Sequence, residues 1–243
     1  MVISDLADRF GIQEMLTDQS RDNAFMVSFL YYFGVLTIEG ESDRGELELR
    51  VPNLVIRGLY AERVLRMFLP EPGDRDDGIF AAKAVYGEGD MEPLCRFVEQ
   101  KYFQVFRNRD YRWANELTVK TAFLTLLYND ILYIMDSERE VGRGYTDLTM
   151  IVRPDMRRFD ILDVLIEFKY VGLKKAGMTG EKARGLSHEA LRKIPAMRTE
   201  MDGAEKQVRK YGDALERKYD KIRLKRYAVV SLGFERLWWK EIV

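Results

Sequence analysis

Gly142-Arg143-Gly144-Tyr145-Thr146-Asp147-Leu148-Thr149-Met150-Ile151-Val152-Arg153 leads through the polar turn Pro154-Asp155-Met156-Arg157-Arg158 into Ile161-Leu162-Asp163-Val164-Leu165-Ile166-Glu167-Phe168-Lys169-Tyr170. Both runs are rich in β-branched and apolar residues and read as strands. Side chains alternate along a strand, so Glu167 and Lys169 share one face while Ile166, Phe168 and Tyr170 share the other. A hairpin centred on Arg157 sets position 147 opposite position 167. That pairing gathers Asp147, Glu167 and Lys169 on one face of a sheet whose other face is apolar.

Two carboxylates and a lysine on an apolar strand pair are costly to desolvate unless something compensates them. A structural ion pair is one explanation. A divalent-metal site is the other: oxygen ligands from Asp147 and Glu167 suit Mg²⁺, and a neighbouring lysine can orient or activate water. The Glu-x-Lys pattern alone discriminates little, since it recurs at Glu99–Lys101 and Glu216–Lys218. Those two lie in charged, helix-like surroundings, and only Glu167–Lys169 follows an Asp-bearing strand.

The order Asp147, hairpin, Glu167-Phe168-Lys169 resembles the PD-(D/E)XK nuclease superfamily. The segment Glu140–Asp147 with Ile166–Lys169 is similar to one branch of it, the nuclease-like domain at the C-terminal end of bacterial AAA-ATPase-like proteins. Gln207-Val208-Arg209-Lys210-Tyr211 resembles the Gln-x-x-x-Tyr motif of exonuclease-type members. The resemblance covers residues 111–243, and extends more weakly to 29–38 and 51–53. It implies an α/β fold, a restriction-endonuclease-like mixed sheet flanked by helices. It also implies Mg²⁺ or Mn²⁺ held by Asp147, Glu167 and the backbone carbonyl of Phe168. Lys169 would hold or deprotonate the attacking water, Gln207 would position that water or the lysine, and Tyr211 would contact a substrate phosphate. Glu116 and Glu140 are supporting candidates. The implied activity is a metal-dependent nuclease hydrolysing phosphodiester bonds of DNA. The alternative is a catalytically idle nuclease-fold module working with an AAA-type ATPase partner or domain.

Composition is compatible with either. Of 243 residues, 47% are hydrophobic and 33% charged, enough apolar material for a packed core in a soluble chain. No apolar run approaches the roughly 20 residues of a membrane span, and the first residues lack the basic and apolar regions of a signal peptide. Cytoplasm is the expected location. The single cysteine, Cys95, excludes an intramolecular disulfide and a Cys-rich zinc site. The single histidine, His188, reads as a surface residue and leaves no His-pair zinc site. Charge is lopsided: residues 1–140 hold 16 Lys and Arg against 25 Asp and Glu, whereas residues 141–243 hold 23 against 15. A basic half that carries the metal-site candidate suits a polyphosphate substrate. Two halves complementing each other across an internal interface would give the same asymmetry.

Turn and period signals divide the chain at Asn108–Asp110 into a helical N-terminal region, 1–107, and a nuclease-like domain, 108–243. In the first, helices are expected over 4–18 and 23–33, a hairpin over 35–51, a helix from the Asn53 cap to 67, a loop over 70–78, and helices over 79–86 and 91–106. Helix, helix, hairpin, helix is compatible with a winged-helix-like unit, although the acidic balance favours packing or interaction over DNA binding. In the second, a helix over 111–129 precedes a strand over 131–141 and the hairpin. A Gly- and Lys-rich loop over 172–186 follows, then a helix over 187–218 interrupted near Pro195, and strands over 226–232 and 236–242. No Walker A spacing occurs, so ATP hydrolysis is not expected of this chain.

Overall fold

The computed structural model describes residues 2–4, 23–32, 36–50, 54–107, 116–136, 139–140, 145–219 and 221–243. The chain divides into two units, Met1–Tyr60 and Ala61–Val243. In the first, strands β1 (Val2–Ile3), β2 (Thr37–Glu41) and β3 (Leu47–Arg50) form an antiparallel sheet in the order β1-β3-β2, with helix α1 (Asn23–Tyr32) between β1 and β2 in sequence. Its core is Ile3, Val27, Leu36 and Leu49. The β2–β3 turn is held by Ser42, whose hydroxyl accepts from the amides of Arg44 and Glu46. Gly45 supplies the left-handed backbone at φ 75°. The helix expected over 4–18, the Asn53 cap and the 108–110 boundary lie outside the described residues.

Helix α2 (Leu54–Phe68) leads to α3 (Pro72–Glu88). The latter runs straight through the segment that reads as a loop. Pro72 stands in the first turn, where its missing N–H is not needed, and Asp74 meets the positive end of the helix dipole. Gly78 is a packing residue, because a Cβ there would come within 2.8 Å of the Leu126 side chain and 3.2 Å of Phe97. The helix closes on Gly89, in the left-handed conformation at φ 75°. Helix α4 (Glu92–Phe97), a π-helical turn over Val98–Tyr102 and α5 (Phe103–Arg107) follow, then α6 (Glu116–Leu127).

The expected strand over 131–141 is broken. Its first part is β4 (Tyr133–Asp136), while β5 (Arg139–Glu140) pairs instead with β6 (Tyr145–Thr146) in a separate ribbon. The hairpin follows as β7 (Leu148–Val152) and β8 (Asp163–Val171), joined through a 3₁₀ turn at Pro154–Met156. After β8 come short helices α7 (Gly180–Arg184) and α8 (His188–Leu191), the long α9 (Pro195–Lys218), and strands β9 (Leu224–Leu232) and β10 (Arg236–Glu241). The main sheet has the order β10-β9-β8-β7-β4, antiparallel except for the parallel pair β8–β9 that α9 connects. This is a mixed five-stranded sheet flanked by helices.

Strand alternation divides the interior into two layers. On one face Leu148, Met150, Val164, Ile166, Phe168 and Val229 pack with α3 to α6. On the other, Leu165, Val171, Ala228 and Val230 pack under Met197, Met201, Ala204 and Val208 of α9. Glu167 and Lys169 share the parity of Leu165 and Val171, so they project toward α9.

Asp163, completely buried, fixes the base of the hairpin. Its carboxylate accepts from the amides of Val152 and Arg223 and from both terminal nitrogens of Arg157, at 2.6–2.9 Å. A buried charge with four donors is compensated in place.

Candidate active site

The β7–β8 ladder has the register Leu148↔Ile166, Thr149↔Leu165, Met150↔Val164. Continued by one step, it sets Asp147 opposite Glu167, the pairing expected from a turn centred on Arg157. Pairing nevertheless stops at Leu148, because the chain bends at Asp147 and departs into β6. The Phe168 amide, deprived of a backbone acceptor, donates instead to Asp147 Oδ2 at 2.8 Å. That N–H lies in the plane of the sheet, so the carboxylate occupies the gap where the ladder opens. The N–H and C=O of one strand residue point to the same side, which turns the Phe168 carbonyl toward the same gap.

From the α9 side, Glu167 reaches this gap with its side chain 2% exposed, and Oε1 takes a hydrogen bond from Lys169 Nζ at 2.9 Å. Oε2 is buried and makes no hydrogen bond of normal geometry. From the other side comes α6. Its apolar residues Val119, Ala122 and Phe123 enter the core, and the Phe123 ring packs on Phe168 with centroids 5.0 Å apart. That contact presses the first turns of α6 against the site. Lys120, buried, places Nζ 3.5 Å from Asp147 Oδ1, and Glu116 lies one turn earlier on the same helical side.

These charges act on one another at close range. Burial, and then the Asp147 carboxylate, push the Glu167 carboxyl up to about 7, against the opposing pull of Lys169 and, more weakly, the Asp147 amide. Burial also raises Glu116, with Asp147 adding to the effect and Lys169 and Lys120 opposing it. For Lys169, burial favours the neutral amine, but Glu167, Glu116 and Asp147 outweigh it and hold the ammonium above its ordinary range. Lys169 is therefore a charged donor in the resting site.

The remaining candidates are placed differently. Gln207 is half-buried on α9, and no hydrogen bond among the described residues joins it to Glu167 or Lys169. Tyr211, four residues on, is 5% exposed and packs in the α9 core. Glu140 pairs through its backbone with Tyr145, and Gly142–Gly144 lie outside the described residues. Lys120 was not singled out by the sequence motifs; its signal is a lysine four residues after Glu116, inside an otherwise apolar helical stripe.

Among the described residues no group of three or more Asp, Glu, His or Cys side chains forms a ready-made metal cage. Mg²⁺ does not require one, since it keeps several waters and is held by one or two carboxylates. The orphaned Glu167 Oε2, a Glu167 carboxyl whose proton affinity is raised by burial and by Asp147, and a carbonyl facing the same gap form a donor set that fits such an ion. The sequence model of the PD-(D/E)XK nuclease superfamily matches residues 114–241. No curated protein and no solved structure matches the chain significantly.

Proposed function

The chain belongs to the PD-(D/E)XK nuclease superfamily, and on that premise we propose that it is a metal-dependent phosphodiesterase acting on DNA. The observation that carries the reading is the convergence of Asp147, Glu167 and Lys169 where β7 leaves β8, with one buried Glu167 oxygen lacking a hydrogen bond. Asp147, Glu167 and the Phe168 carbonyl would hold Mg²⁺ or Mn²⁺. When bound, such an ion supplies Lewis-acid polarisation of the phosphoryl group and lowers the pKa of water. The Phe168 amide keeps Asp147 aimed into the gap. The Lys169 ammonium donates a hydrogen bond to the attacking water or to a phosphoryl oxygen, and offsets negative charge as it grows in the transition state. Glu116 adds a carboxylate at the rim, and Gln207 serves as a positioning residue on α9.

The basic balance of residues 141–243 supports a polyanionic substrate. No helix among the described residues is long and apolar enough to cross a membrane. The test is incubation of the purified chain with supercoiled plasmid, linear duplex and RNA in Mg²⁺, Mn²⁺ or EDTA. Metal-dependent cleavage of DNA is expected. Cation binding without cleavage of any substrate would replace the enzyme with a nuclease-fold interaction module, for which an AAA-type ATPase is the partner the sequence suggests.

A further inference from the structure

Lys120 stands out as a buried cation within an apolar helix face, 6% exposed and 3.5 Å from Asp147. Its position is tightly determined. Phe123, one turn later, packs on Phe168, whose amide in turn binds the same Asp147 carboxylate. Helix, strand and carboxylate thus form a closed set of contacts, and the ammonium is aimed at Asp147 from the α6 side while Lys169 approaches Glu167 from the α9 side. Asp147 and Glu167 disfavour one another's ionised forms, and a half-buried carboxylate beside a buried one is stabilised by a neighbouring positive charge.

We propose that Lys120 is an internal counter-ion of the site: it stands in for part of the cation's charge at Asp147 in the metal-free protein, and so sets how tightly the divalent ion binds. This rests on the reading of Asp147 and Glu167 as metal ligands. A positive charge beside a ligand carboxylate stabilises the empty site and repels an incoming cation. Lys120 thereby trades affinity for a site that stays folded and assembled without metal. A residue with a merely structural role would weaken metal binding when replaced, whereas a counter-ion strengthens it.

The experiment compares wild type, Lys120→Met, Asp147→Asn and the double variant, using the full chain. Methionine keeps the straight side chain and the helix propensity without the charge. Mn²⁺ is titrated calorimetrically, and metal-free thermal unfolding is followed in EDTA. Lys120→Met is expected to bind Mn²⁺ on the order of tenfold more tightly, as removal of a unit charge a few ångströms from the ligand implies. Its metal-free Tm should fall further in the wild-type background than in the Asp147→Asn background, where one of the carboxylates facing the lysine is already neutral. If Lys120→Met alone fails to fold, the double variant, with both charges removed, must still fold. Binding by wild type with equal or weaker binding by Lys120→Met overturns the role of Lys120 and leaves the metal site standing. Equal losses of Tm in both backgrounds overturn it as well. Absence of Mn²⁺ binding by wild type defeats the metal-site reading and the counter-ion with it.

Discussion

The amide of Phe168 donates to the carboxylate of Asp147 at 2.8 Å, across a break in the sheet where a backbone carbonyl would otherwise stand. Asp147 therefore has two tasks, closing the end of the ladder and presenting charge to the gap. The two can be separated. Asp147→Asn keeps an acceptor for the Phe168 amide, while Asp147→Ala leaves that buried N–H unsatisfied. Both should abolish Mn²⁺ binding and cleavage, but the alanine variant should be the less stable by about 1–2 kcal/mol, the worth of one buried hydrogen bond. Calorimetric titration and urea unfolding of the pair check this.

Asp163 offers a prediction about the scaffold. Its replacement by alanine strands Arg157 and leaves the amides of Val152 and Arg223 without their acceptor. Breaking a buried, hydrogen-bonded ion pair from one side costs roughly 3–5 kcal/mol. Asp163→Ala should lose that much in urea unfolding. Arg157→Ala should lose less, because Asp163 retains its two backbone donors.

The hairpin was legible in the sequence for a definite reason. Alternation of apolar and charged residues along 166–170 separates Ile166 and Phe168 from Glu167 and Lys169, and the turn residues then determine the register, Leu148 with Ile166, that brings 147 level with 167. Other features left weaker traces. Pro70, Pro72, Gly73 and Gly78 read as a loop, yet Pro72 starts a helix and Gly78 serves contact with Leu126, a distant segment that composition does not reveal. The split of the strand over 131–141 depends on which partner each half finds, a tertiary matter. Lys120 looks like any helical lysine until its distance to Asp147 is known. Tyr211 matches a motif, but its ring is used in the α9 core.

Glu167 gives the site a pH dependence whose sign follows from its environment. Its carboxyl stands at about 7, raised from 4.5 by burial and by Asp147. The folded metal-free chain then holds a proton that the unfolded chain releases between those values. This contribution to stability is complete below about pH 4.5 and is lost as pH rises through about 7. Metal binding requires the ionised carboxylate, so Mn²⁺ affinity and cleavage should run the other way, rising toward a plateau above about pH 7. Metal-free melting from pH 5 to 8 should show the first trend, and Glu167→Gln should remove the part due to this group. Wild-type Mn²⁺ affinity that is flat from pH 5 to 8 would contradict the second.

Lys169 separates an electrostatic donor from a general base. Its ammonium lies 2.9 Å from Glu167 Oε1, and the three surrounding carboxylates hold it above its ordinary pKa despite burial. A lysine kept charged in this way is poorly suited to accept a proton, but well placed to hold water and stabilise developing phosphoryl charge. Lys169→Ala should therefore lower kcat by about 10²-fold or more with little change in KM. At a pH high enough to ionise Glu167 in both proteins, Mn²⁺ binding should be no weaker than in wild type, since a neighbouring cation has been removed and both carboxylates remain. Without that ammonium Glu167 keeps its proton to higher pH, so residual activity should have its pH profile displaced upward. Lys169→Arg should restore part of the rate, because it returns a permanent charge that cannot act as a base. Single-turnover cleavage across pH with all three proteins decides the matter. Full activity in Lys169→Ala would remove the residue from catalysis altogether, and an arginine variant as inactive as alanine would return to Lys169 the role of proton acceptor.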